Sequence, residues 1–207
     1  MKEYYPMHYE RMKKYIASGQ WHIAGASWDA NDPNMPSAES FFRNILLGQE
    51  FYKKEFGVRS TDIFLPDCFG FGYTLPTIAA HSGLIGMSTQ KLSWRNHDFY
   101  DAPYHKKNPF SWGVWYGIDD TGGYNSELPE NVQYNERLME RAAHGYDNTC
   151  FRYYAGGGEG VGDKGNSGTV TTCRRLTKAI NDPNAPIEII SATSDDLFKA
   201  YLGRKAE

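Results

Sequence analysis

Residues 63–94, IFLPDCFGFGYTLPTIAAHSGLIGMSTQKLSW, constrain the fold of this chain more than any other stretch. An apolar run of strand length, Ile63-Phe64-Leu65, is cut by Pro66-Asp67. A glycine-bracketed aromatic turn follows, Cys68-Phe69-Gly70-Phe71-Gly72, and residues 74–82 then read as a helix. This order sets a carboxylate, Asp67, where a strand ends and a loop opens. In α/β proteins ligands bind at that edge of the sheet. Asp is also common in plain turns, and on spacing alone a plain turn is the stronger reading of Asp67.

The rest of the chain repeats the strand–loop–helix order. Residues 4–18 read as an amphipathic helix with Tyr5, Tyr9, Met12 and Ile16 three or four apart, ended by Gly19. Residues 21–27 read as a strand and residues 28–36 as a loop of turn formers. Ser37 is a suitable N-cap, and the helix it opens carries Phe41, Ile45, Leu46 and Phe51 as far as Gly57. Further strands are expected over 110–116, 150–155 and 187–191, a turn over 117–123, and helices over 135–146, 169–181 and 194–202. The polar stretch 95–109 is an excursion of functional-loop length, in which His97 and His105 read as surface histidines. The pattern predicts one α/β domain over residues 1–207 with a mainly parallel sheet.

Composition narrows the function. The 207 residues suffice for one domain with a core. A net charge of −3 gives no electrostatic case for nucleic acid or an anionic membrane. No apolar run approaches the ~18 residues of a membrane span. The N-terminal MKEYYPMHYERMKK lacks the apolar core of a signal peptide, and the compartment stays open. Cys68, Cys150 and Cys173 match no metal or redox spacing, so Cys68 reads as a packing residue. Aromatic residues reach 15%, a hint of sugar-stacking surfaces, although aromatics more often fill cores.

Three segments in order, Leu65-Pro66-Asp67-Cys68-Phe69-Gly70, then Leu75-Pro76, then Gln90-Lys91-Leu92-Ser93-Trp94, resemble the core of the glycoside hydrolase family 38 α-mannosidases. Upstream, Gly25, Ser27, Trp28, Asp32, Asn34, Pro36, Ser37, Glu39 and Ser40 match a second family pattern, with Ala30 where many members carry Glu. Phe110, Trp112, Gly117 and Asp119 are a looser match to a third. The resemblance implies a β/α-barrel-like catalytic domain and retaining hydrolysis of terminal α-linked mannose in a mannose-containing glycan. It implies that Asp67 is both the nucleophile and a zinc ligand, that Lys91 supports charge or holds a substrate oxygen, and that Phe69 packs near the sugar. Trp28 and Asp32 are candidate substrate-lining residues, and a purely loop-shaping role is open for both. The family holds zinc with two His and two Asp. The motifs that supply the other ligands are missing from this sequence, so the chain is expected to be a fragment of a longer enzyme and inactive alone. Open sheet edges in such a fragment would leave room for homo-oligomers.

A glycine-rich loop, GGGEGVGDKGNSG over residues 156–168, admits two readings. Gly160-Val161-Gly162-Asp163-Lys164-Gly165 fits GxGxxG between an expected strand and helix, the setting of a nucleotide site. The acidic residue expected at the end of the next strand is missing. The family resemblance instead makes Asp163 the candidate general acid/base, with Glu159 as the fallback. A retaining glycosidase needs two carboxyl groups about 5–5.5 Å apart. A module that binds carbohydrate without hydrolysing it is the third reading.

Overall fold

The computed structural model describes residues 1–65, 68, 70–89, 112–116, 122–127, 177, 178, 180–185, 188 and 190–201. The expected helix 135–146, the strand 150–155 and the glycine-rich loop lie outside them.

Helix α1 (Pro6–Ala17) opens on a proline, which costs nothing in a first turn whose amides have no intrahelical partner. It buries Tyr9 and Ile16. Helix α2 (Ala38–Phe56) starts where expected: the Ser37 hydroxyl accepts from the Ser40 amide at 3.2 Å, and Glu39 sits in the first turn. It ends on Gly57 at φ +73°, a left-handed cap that favours glycine.

Residues 21–27 depart from the expected strand. Residues 22–27 join no ladder, and Ala26 donates a single backbone hydrogen bond to the Asp62 carbonyl at 3.0 Å. Two glycines explain this. Gly25, at φ +67°, turns the backbone out of extended geometry. Gly48 of α2 then lets the backbone of Ala26, Ser27 and Trp28 lie directly on the helix, since a Cβ there would come within 2.6 Å of the Trp28 nitrogen.

The sheet contains β1 (Asp62–Phe64), β2 (Gly86–Thr89), β3 (Trp112–Tyr116) and β4 (Gly122–Glu127) in the order β1-β2-β4-β3. The β1/β2 and β2/β4 pairs are parallel and β3/β4 is antiparallel, so the described sheet is mainly parallel as expected. The described strands do not close into a barrel. Helix α3 (Leu75–His81) links β1 to β2 and falls within the expected helix. Strand β2 has no counterpart in the sequence reading: all four residues are buried, so the polar/apolar alternation of a half-exposed strand is missing. Strand β3 falls within the expected 110–116, whereas β4 begins at Gly122, inside the expected turn. In the expected strand 187–191, the described residues Glu188, Ile190 and Ser191 are exposed and unladdered.

The core joins Phe41 and Ile45 of α2, Ile63 of β1, Leu65, Ile78 of α3 and Met87 of β2. The final described helix, α4 (Asp196–Tyr201), adds Phe198. Its ring is 1% exposed and fills the space where a Cβ of Gly86 would stand, 2.5 Å from Cγ. Just before α4, Asp195 is buried against three parts of the chain. Its carboxylate accepts from the hydroxyls of Thr61 and Thr193, pairs with Lys199 at 2.6 Å, and lies 3.2 Å from His22 Nε2. Among the described residues no helix is long and apolar enough to cross a membrane.

Candidate active site

Because β1, β2 and β4 run parallel, their carboxyl ends share one edge of the sheet. Phe64 lies opposite Ser88, and Thr89 opposite Glu127. The Leu65 amide donates to the Ser88 carbonyl at 2.8 Å, which carries the pairing one residue past β1. In the chain, Pro66-Asp67 follow Leu65 and Gln90-Lys91 follow Thr89. The topology therefore starts both segments from the same edge, the one where open α/β sheets bind ligands. Asp67, Phe69, Lys91 and Asp163, with the alternative Glu159, lie outside the described residues.

The second motif segment is held by α2. The Trp28 amide donates to the Asn44 carbonyl at 3.0 Å. The Asn44 side chain pairs both ways with the backbone of Asp29, each bond 3.0 Å, and donates to Asn31 Oδ1; Asn31 in turn donates to the Ser27 hydroxyl. The Tyr52 hydroxyl sits 3.3 Å from the carbonyls of both Gly25 and Ser27. Burial, and then the negative charge of Asp62, raise the Tyr52 pKa, which keeps the phenol a neutral donor. Asp62 is fully buried at the start of β1, and its Oδ1 accepts from the Gly25 amide at 3.2 Å. The Trp28 ring stays 57% exposed and packs edge-on against Phe51, centroids 5.1 Å apart. Exposed Asp32 accepts the Asn34 amide at 2.9 Å and shapes the loop two residues ahead.

This loop meets the turn that follows Asp67. The Cys68 thiol donates to the Asn31 carbonyl at 2.9 Å. Gly70 adopts φ +123°, and the Asn34 carboxamide nitrogen occupies the space a Cβ of Gly70 would need. Cys68 and Phe71 are half-buried against the core, which agrees with the packing role expected of Cys68. The two family-like segments are thus in direct contact through Cys68 and Asn31, 37 positions apart. Among the described residues no three His, Cys, Asp or Glu side chains form a group that could hold a metal ion. Those residues do not by themselves fit zinc.

The profile of the glycosyl hydrolases family 38 N-terminal domain matches residues 1–205. The chain belongs to this family. It is 36% identical over 211 residues to alpha-mannosidase G of Dictyostelium discoideum, covering 96% of this chain and 18% of that protein. It is 31% identical over 199 residues to alpha-mannosidase 2C1 of Homo sapiens, covering 90% of this chain and 17% of that protein. The crystal structure of an alpha-mannosidase from Enterococcus faecalis V583 matches the fold with a TM-score of 0.64 at 18% identity, over 98% of this chain and 23% of the other. The chain thus spans less than a fifth of the length of the curated relatives it matches.

Within this family 38 domain, both motif segments are legible in the sequence, but what holds the upstream one is not. Asn44, Gly48 and Tyr52 recur every four residues along α2 and present one stripe to residues 25–31. The readable signal was polar Asn44 and Gly48 breaking a helix face that otherwise carries Phe41 and Ile45.

Proposed function

We propose that the full-length family 38 protein carrying this sequence is a retaining α-mannosidase that acts on terminal α-linked mannose, with Asp67 as its nucleophile. One observation carries the reading: parallel pairing of β1 and β2 starts the Asp67 and Lys91 segments from one sheet edge. The alpha-mannosidase relatives support the substrate class. The described sheet would then be one arc of a barrel-like domain, with further parts of the enzyme supplied beyond these residues.

In the proposed reaction an Asp67 carboxylate oxygen attacks the anomeric carbon as the glycosidic bond breaks. Asp163, with Glu159 as the alternative, gives its proton to the leaving oxygen. Water then loses a proton to the same carboxylate and attacks the anomeric carbon, which frees Asp67 and releases mannose with its configuration retained. The acid must hold its proton near neutral pH, so burial or a neighbouring negative charge must raise its pKa. Lys91 would support the charge on Asp67 or hold a substrate oxygen, Phe69 would pack near the sugar, and Trp28 and Asp32 would line the approach. Zinc is the proposed cofactor, with Asp67 as one ligand and the others from outside this chain. The 207-residue chain alone is proposed to be inactive.

The test uses the full-length protein, loaded with zinc, on an aryl α-mannoside. Asp67→Asn should lower kcat/KM by about 1,000-fold or more, and a mannosyl adduct should appear on the Asp67 peptide of quenched wild type. Chelation should abolish turnover and zinc should restore it. Wild-type turnover in Asp67→Asn would remove Asp67 from the chemistry.

A further inference from the structure

We propose that Asn34 is a positioning residue: its carboxamide, seated over the backbone of Gly70, fixes the turn that follows Asp67 and so sets where that carboxylate meets substrate. The inference rests on the mannosidase reading. Its basis is a contact that uses three separate features of the chain.

The first feature is Gly70. Its φ of +123° suits glycine alone, and the space beside its Cα holds the Asn34 amide nitrogen. Any side chain at position 70 would push that carboxamide away. The second is the anchoring of Asn34 from behind. Its amide is held by Asp32, and the loop that carries it is tied to α2 through Asn31 and Asn44. The third is a parallel tie three residues earlier, the Cys68 thiol on the Asn31 carbonyl. The turn is thus joined to the loop at Cys68 and again at Gly70. The loop is joined to α2, which also grips the backbone just ahead of β1: the Gln49 carboxamide pairs with both the carbonyl and the amide of Ser60, at 2.7 and 3.0 Å. One helix therefore references both sides of the turn. Asn34 and Gly70 are exposed, so substitution there leaves the core untouched.

Kinetics on the full-length, zinc-loaded protein test this with Asn34→Ala, Gly70→Ala and the double variant. Asn34→Ala should lower kcat on an aryl α-mannoside by about 10- to 100-fold with KM changed less than about threefold, as expected of a misplaced reacting group. Its melting temperature should stay within about 2 °C of wild type, as for a surface change. Asn34→Ala should cost less than about threefold in kcat in the Gly70→Ala background, because the joint is already broken there. An unchanged kcat in Asn34→Ala beside an active wild type overturns the proposal and leaves the mannosidase reading standing. So do kcat losses that simply multiply in the double variant. An inactive wild type sinks the mannosidase reading instead, and the same cycle in melting temperature then decides the joint. Gly70→Ala should lower the melting temperature less when Asn34 is already alanine. Equal losses in both backgrounds overturn the contact.

Discussion

A buried aspartate with no role in the proposed chemistry carries one of the two largest electrostatic shifts among the described residues. Burial alone would raise the Asp195 pKa, yet hydrogen bonds from Lys199, Thr61 and Thr193 and the nearby His22 outweigh it and hold the carboxyl at about 2, against an ordinary 3.8. A depressed pKa means that the folded state favours the charged form. The stability it contributes is fully present above the unfolded value near 3.8 and is lost as pH falls towards 2. The shift corresponds to about 2 kcal/mol. Asp195→Asn should therefore weaken the fold by roughly that amount at pH 7, and the gap to wild type should close between pH 4 and 2 in urea titrations. A gap that stays constant across that range would mean that the charge of Asp195 adds nothing. Nothing in the local sequence Thr193-Ser194-Asp195-Asp196 announces this cluster, because Thr61 and His22 arrive from distant segments. Asp67 is the opposite case: the family-like motif that makes it a candidate is local, so the expectation can be drawn from the sequence.

At the scale of elements, legibility follows how local the deciding interaction is. The ends of α2 could be read because Ser37 and Gly57 act within a turn of themselves. Residues 21–27 were misread because the surface that shapes them, Gly48, belongs to another element. Strand β2 was invisible because a strand covered on all sides shows no alternation, and Gly122-Gly123 close the expected turn 117–123 and read as part of it until β3 pairs with them. Gly48→Ala puts this to the test. The new Cβ meets backbone that has no rotamer to change, so stability should fall by about 1–3 kcal/mol despite the better helix propensity of alanine. A rise in the denaturation midpoint, as expected at an open helix glycine, would contradict the close packing. Gln49 gives an independent check on the same helix. Gln49→Ala strands a buried amide and a buried carbonyl of Ser60, and the expected loss is about 2–4 kcal/mol by urea unfolding.

Across the whole molecule, β1 is secured from both ends of the sequence. Gly25 and Ala26 bind it through Asp62, while Asp195 reaches back to Thr61, 134 positions away. Phe198 completes the packing over Gly86 at the start of the neighbouring strand. This arrangement has a consequence for synthesis. A ribosome adding about 5–20 residues per second needs on the order of ten seconds to travel from Thr61 to Lys199. For most of that interval, from the synthesis of β2 onwards, the nascent β1 and β2 leave an uncovered slot above Gly86 and a polar pocket without its carboxylate. Chaperone capture of the emerging chain should concentrate in that window and fade once residue 199 has cleared the exit tunnel.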